Sequence, residues 1–306
     1  DARAPAGTRR RRLMARRRPP ATHGLAVVDK PAGVTSHDVV GMLRRRFGER
    51  QVGHAGTLDP DATGVLLVGV GKGTRLLRFL TDLGKTYTAE IVFGTATDTL
   101  DASGQVTASY DMRDLACNQV RAAAATLTGD IMQVPPMVSA LKIDGTRLYE
   151  LAREGVEVER QPRPVTVHSF TVEPTTDPLV YTAEVRCSKG TYIRTLADDI
   201  GRLCGGGAHL RHLRRTAVGS FTAAEAAAPD EVCLLTLSEA VRDYPAVVVD
   251  AATAALVLHG RVLARIGDGW CFAGDGPWAV RAAGGALLAM YATHPDATVK
   301  PAVVVG

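Results

Sequence analysis

Two short segments of the sequence are dense in groups that do chemistry. The first is Gly53-His54-Ala55-Gly56-Thr57-Leu58-Asp59-Pro60-Asp61. Pro60 biases Asp59 towards extended backbone. The glycines permit a tight turn or the close approach of another backbone. A carboxylate displayed on such a loop is suited to act as nucleophile or base. Gly-Thr-Leu-Asp-Pro is equally an ordinary turn, so spacing alone leaves both readings open. The second segment is Cys187-Ser188-Lys189-Gly190-Thr191-Tyr192-Ile193-Arg194-Thr195. It puts Tyr192 and Arg194 in the first turn of an expected helix, where free N–H groups favour anions. An Arg beside a carboxylate lowers its pKa and keeps it ionised. An Arg solvating a helix surface is the competing reading.

Other candidate motifs fail on spacing. Gly69-Val70-Gly71-Lys72-Gly73-Thr74 resembles a phosphate loop, but Leu66 stands where its first Gly belongs and Gly73 where Ser or Thr would bind magnesium. It reads as a strand-to-helix turn. His209 and His212 have no carboxylate or thiolate at ligand spacing. The Asp98–Gly104 stretch lacks the alternation of a calcium loop. Asp59 and Asp61 could form a hydrolase carboxylate pair, since i and i+2 in extended chain lie about 6–7 Å apart. The five Cys are odd in number and form no C-x-x-C pair, against a disulfide framework or zinc ribbon. Reduced thiols, with no visible export signal, suggest a cytoplasmic protein.

These residues must be held by a folded body. The 306 residues correspond to two domains at about 150 residues each. No run of about eighteen apolar residues occurs, so a spanning helix is not expected. The net charge of +4 is uneven: residues 1–20 hold eight Arg and one Asp, or +7, leaving −3 for the rest. Residues 1–22 therefore read as a disordered basic tail. Strands are expected at Leu25–Val28, Val65–Val70, Lys85–Phe93 and Tyr181–Cys187. Along Lys85–Phe93 the alternation puts Tyr87, Ala89, Ile91 and Phe93 on one face. Helices are expected over 37–47, with Ser36 as N-cap and Gly48 as stop, over 114–128, over Arg147–Arg153, and after Gly190 with Leu203 on its apolar face. Residues 246–306 show short β-like runs separated by Gly-rich turns, which suggests a small separate β domain.

Taken in order, the segments resemble the bacterial tRNA pseudouridine-55 synthase family, TruB, of actinobacterial type. The resemblance runs from about residue 24 to 220. It rests on Val28-Asp29-Lys30-Pro31-Ala32-Gly33-Val34-Thr35-Ser36, the Asp59 loop, Lys85-Thr86-Tyr87, Val138-Ser139-Ala140-Leu141-Lys142, the Arg194 segment and Leu210-Arg211-His212-Leu213-Arg214-Arg215. It implies an α+β pseudouridine synthase fold with a mainly antiparallel central sheet over 23–243. It also implies an RNA-clamping insertion at 130–155 and a PUA-like RNA-binding domain at 244–306. The implied reaction isomerises one T-loop uridine of tRNA. The N1–C1′ bond breaks, the uracil turns, and it rejoins through C5. No cofactor, metal, guide RNA or protein partner is implied, and the chain would act as a monomer.

Roles follow residue by residue from the resemblance. Asp59 is the essential carboxylate, and Arg194 pairs with it and holds it charged. Tyr87 stacks on the flipped uracil and stands near C5 for the last proton removal. His54 occupies the space left by the flipped nucleotide. Tyr192 and Lys142 are further pocket contacts. Lys30, Lys189, Arg211, Arg214 and Arg215 are candidate phosphate contacts. Asp61 departs from the family, which carries an apolar residue there, and is expected to point to solvent. Two alternatives to this reading remain: an RNA-folding protein without chemistry, and a related RNA-guided synthase.

Overall fold

The computed structural model describes residues 21–139, 142–143, 146–148, 156 and 158–306. Of the expected tail at 1–22, residues 1–20 lie outside this description, as do the side chain of Lys142 and the expected helix at Arg147–Arg153 except for Arg147, which ends a short strand (Thr146–Arg147) instead, and Leu148. No helix among the described residues is long and apolar enough to cross a membrane.

The larger unit is built on one ten-stranded sheet. Its principal strands are β1 (Gly24–Lys30), β2 (Val52–Ala55), β3 (Thr63–Val70), β4 (Lys85–Phe93), β5 (Gly129–Gln133), β6 (Arg163–Pro174), β7 (Val180–Cys187) and β8 (Ala208–Val218). From the short strand Leu234–Leu235 the order runs β1-β3-β8-β4-β7-β6-β5, with β2 paired to β3 off this path. All neighbours are antiparallel except β3 and β8. That parallel contact is tight: a Cβ on Gly64 (φ +100°) would sit 2.1 Å from the carbonyl oxygen of Arg215. Only glycine lets β8 come this close.

The period-two reading of β4 holds along its length, with Tyr87, Ala89, Ile91 and Phe93 buried. They pack with Leu196, Ala197 and Ile200 of helix α4 (Ile193–Leu203) and with Val120 and Ala124 of α3 (Cys117–Thr126). Leu203 departs from expectation, being exposed at the frayed end of α4. Helix α1 (Ser36–Phe47) buries Val39, Val40 and Leu43 and stops at Gly48 in the left-handed region. Its cap is Thr35, reciprocally bonded with Asp38, and Ser36 is released for another task. Helix α2 (Leu77–Asp82) follows a 3-10 turn over Gly71–Leu76, where the phosphate-loop reading had failed.

The C-terminal unit is a five-stranded sheet. Its strands are β9 (Ala246–Val249), β10 (Trp278–Ala282), β11 (Leu287–His294), β12 (Thr298–Val304) and the short Leu263–Ala264. It also holds helix α5 (Ala251–Leu258), absent from the strand-only expectation. Trp278, Phe272 and Tyr291 centre its core. Ala279, Leu287, Met290 and Val305 join Leu25, Val27 and Leu67 in a cluster that seals the two sheets together. Arg75 Nη1 donates to Val304 O across the same joint.

Candidate active site

The Asp59 loop is anchored residue by residue from outside. Arg215 Nη2 donates to Gly56 O at 3.1 Å. Ser36 Oγ accepts from Leu58 N at 2.9 Å and donates to Leu58 O at 3.1 Å. Leu58 itself is buried with Tyr87 and Leu196. Lys30 Nζ and Gly33 N both donate to Pro60 O. Each tether removes freedom that the seven-residue connection between Ala55 and Thr63 would otherwise keep, so the position of Asp59 is fixed before substrate arrives.

Arg194 comes from the first turn of α4. Its Nη2 lies 3.1 Å from Asp59 Oδ2 and donates to Val138 O at 2.7 Å. Its Nη1 donates to Thr99 O and to Asp101 Oδ2, the latter at 3.3 Å. The second oxygen of Asp101 is occupied by Thr99 Oγ1 and by the Ser103 amide and hydroxyl. The guanidinium is thus a fork held between two carboxylates and two carbonyls, a geometry that Lys cannot copy. Arg194 is 5% exposed while the Asp59 side chain is 43% exposed. The cation is sealed in and the carboxylate faces outward.

Before α4 the chain is extended at Tyr192, which caps the helix by backbone position alone. Gln133 brackets it: its Oε1 accepts from Tyr192 N at 2.7 Å and its Nε2 donates to Tyr192 O at 3.1 Å. That amide is therefore not free for an anion. Gln133, Asp101 and the loop-holding role of Ser36 were missed in the sequence. Asp101 was visible only as part of an acidic turn. Gln133 carries no spacing signal.

A cleft of about 360 Å³ opens over these groups. Asp59, Tyr87, Lys189, Tyr192, Arg194 and Arg215 all line it, as do Lys85 and Leu213. Burial raises the Asp59 carboxyl above its ordinary value, Arg194 pulls it down, and Asp101 and Asp61 push it up. The pairing expected with Arg194 is present, but desolvation outweighs it. Burial also raises the Tyr87 phenol, with the Arg215 charge opposing. Such a phenol stays protonated, which suits a stacking surface better than a base. Burial lowers Lys85 to about 8, assisted by the charge of Arg215. Its ammonium donates to Thr81 O and Leu83 O at the end of α2.

Several expected phosphate contacts have other work. Lys30 is 0% exposed, and its three donors go to Pro31 O, Val34 O and Pro60 O. It braces the loop and offers nothing to a phosphate. Arg215 is 1% exposed, with Nε on Val65 O as well as Nη2 on Gly56 O. Arg214 makes a two-pronged pair with Asp29, and Arg211 pairs with Glu90, both at half-exposed positions. Lys189 is exposed and paired with exposed Asp82. His54 stands on β2 outside the cleft lining, and burial, then Arg215 and His37, hold its imidazole below its ordinary pKa. Asp61 is exposed and does not line the cleft, so the paired-carboxylate arrangement of a hydrolase is not formed.

A mixed sheet carrying one loop carboxylate against a helix-borne arginine defines a class. The architecture is that of the pseudouridine synthases. It superposes on the structure of a Cbf5-Nop10-Gar1 complex with a TM-score of 0.71 at 24% identity, covering 92% of this chain and 85% of that one. An H/ACA RNP bound to a substrate RNA containing 2′-deoxyuridine gives 0.69 at 22% identity, with the same two coverages. Within that class, the TruB family pseudouridylate synthase N-terminal domain matches residues 44–193. The tRNA pseudouridylate synthase B C-terminal domain matches residues 194–244. Proteins named tRNA pseudouridine synthase B are similar over most of their length. That of Thermobifida fusca is 45% identical over 293 residues, 92% of this chain and 98% of the relative. That of Symbiobacterium thermophilum is 50% identical over 239 residues, 76% and 80% of the two chains. The chain belongs to the TruB family and is, with it, an isomerase of the pseudouridine synthase type.

Proposed function

We propose that this enzyme converts the T-loop uridine at position 55 of tRNA to pseudouridine, with Asp59 as its essential carboxylate. The observation that carries the reading is the Asp59–Arg194 contact in the cleft wall, beside the ring of Tyr87. The reaction is an isomerisation. The N1–C1′ bond breaks, the uracil turns, a C5–C1′ bond forms, and the proton on C5 leaves while N1 gains one. Asp59 must act ionised at the sugar–base bond. Arg194 opposes, without cancelling, the burial that raises the Asp59 pKa.

A uridine inside a folded loop must leave its stack to reach this cleft, at a cost of a few kcal/mol. Stacking on Tyr87 returns about 1–3 kcal/mol of it. Tyr192 and Leu213 close the pocket walls. His54 organises the loop from beneath. Lys189 in the cleft wall and Arg211 and Arg214 outside it meet phosphates by exchanging their present carboxylate partners. We assign catalysis to residues 23–243, the clamp on the T-arm to 130–155, including Lys142, and RNA binding to the C-terminal β domain. The enzyme acts as a monomer on tRNA in the cytoplasm, without guide RNA or partner protein.

The test is pseudouridine mapping by carbodiimide labelling and primer extension on an unmodified tRNA transcript. Wild type alone gives one T-loop stop, and Asp59→Asn gives none. A stop that persists in the variant overturns the role of Asp59. A wild type that needs an added RNA or protein overturns the stand-alone reading.

A further inference from the structure

One polar group of the cleft wall has neither a partner in the fold nor a part in the reaction above. Ser139 lies in its wall and is 5% exposed. Its Oγ has no hydrogen-bond partner among the described residues. A hydroxyl carries one donor and two acceptor sites. Buried polar groups are paired as a rule, and an orphan calls for an explanation. His54 Nδ1, Arg160 Nε and Arg281 Nε are also unpartnered, but none of those residues lines the cleft. Of these four atoms, only Ser139 Oγ belongs to a residue of the cleft wall, where it is closed off from solvent.

Its backbone is held in register with the reacting centre. Ser139 N donates to Met137 O at 3.0 Å. The adjoining Val138 O accepts from Arg194 Nη2, the same nitrogen that lies 3.1 Å from Asp59. The hydroxyl is thus one residue from a carbonyl locked to the catalytic pair.

We propose that Ser139 Oγ–H donates to a carbonyl oxygen of the uracil held in the cleft. The inference rests on the function proposed above. Uracil fits the demand on symmetry grounds. Its O2, N3–H and O4 form an acceptor–donor–acceptor edge, symmetric about the N3–C6 axis. Turning the detached ring about that axis brings C5 to where N1 stood and exchanges O2 with O4. A fixed donor therefore meets a carbonyl oxygen before the turn and another after it. Ser139 holds the ring at both ends of the rotation without itself moving.

The test uses the full chain with Ser139→Ala, Ser139→Thr and Ser139→Val. Thr and Val have nearly the same shape, so their difference reads the hydroxyl even where packing is disturbed. Two measurements are made: the single-turnover rate on tRNA, and the affinity for T-arm stem-loops bearing either uridine or an abasic residue at the target. Loss of one neutral hydrogen bond predicts that Ala and Val slow conversion about tenfold and weaken the uridine stem-loop relative to the abasic one by a similar factor. Thr stays within about threefold of wild type. Equal rates for Thr and Val, or equal weakening of both stem-loops, overturn the proposal. A wild type that makes no pseudouridine fails the function itself. An active wild type with Val matching Thr fails this inference alone.

Discussion

The cations beneath the Asp59 loop and an outer rim of half-exposed ones, of which only Lys189 lines the cleft, have the same side chains and opposite duties. Lys30, Arg194 and Arg215 are almost wholly buried; Lys30 and Arg215 donate to backbone carbonyls, and Arg194 divides its donors between two carbonyls and two carboxylates. Lys189, Arg211 and Arg214 are at least a third exposed in their side chains, each bonded to one carboxylate. Removing a buried cation leaves fixed acceptors in a place water reaches poorly, so the cost is high. An exposed ion pair contributes about 0–1 kcal/mol, so its cation can change partners cheaply. The inner set can therefore shape the loop, and only the outer set is free to follow a polyanion.

The largest effect falls on Arg194. Arg194→Met leaves Asp59 and Asp101 facing each other without the guanidinium between them. We expect a loss of about 1–3 kcal/mol in folding stability for each of the carbonyls of Thr99 and Val138 left without its donor, and less from the two carboxylates, which are partly exposed. Single-turnover conversion falls about a thousandfold or more. Arg194→Lys restores charge without the fork, so it regains stability more than rate. Urea unfolding and single-turnover kinetics on the same preparations check both halves. A stable, active Met variant would place Arg194 with the rim set.

Lys30 comes next. Lys30→Met keeps the length of the stem and removes three hydrogen bonds. Each orphaned carbonyl costs about 1–3 kcal/mol, less whatever desolvation the native ammonium already bears. That desolvation is visible in its pKa, lowered to about 8 by burial. The sign follows. The unfolded amine titrates at its ordinary 10.5, so between about 8 and 10.5 the unfolded state binds more protons. The contribution of Lys30 to stability therefore rises with pH across that window. In the Met variant this rise is missing, and kcat falls while RNA affinity holds. A phosphate contact would show the reverse split, with affinity lost and kcat kept.

The same division explains what could be read from the sequence. Strand β4 was legible because one face is buried and the other is not, which is what alternation reports. Strand β8 showed only as a basic stretch, because its Arg side chains reach sideways to Val65 O, Asp29 and Glu90, and no apolar period survives. Helix α5 is Ala-rich with little periodicity, so the surrounding β-like runs masked it. The Asp59 loop and the Arg194 segment were legible as chemistry. Their tethers were less so: Ser36 read as an N-cap, yet Thr35 caps α1 and Ser36 grips Leu58. Nothing in composition marks a Lys or Arg for full burial, since these residues are rarely buried unless paired. Partners such as Pro60 O and Gly56 O exist only once the chain has folded.

The smallest effect sharpens the rim. Lys189 and Asp82 are both more than half exposed, so their contact exchanges readily with a phosphate. Lys189→Ala should leave folding stability within about 0.5 kcal/mol, as at other surface positions. It should raise KM a few-fold with kcat unchanged. The slope of log affinity against log salt should fall by about 1, the loss of one released counterion. Asp82→Asn supplies the opposite sign, because it frees Lys189 from its internal competitor and should tighten RNA binding slightly at low salt. If Lys189→Ala instead lowers kcat at an unchanged salt slope, Lys189 acts on the first turn of α4 and belongs with the inner set.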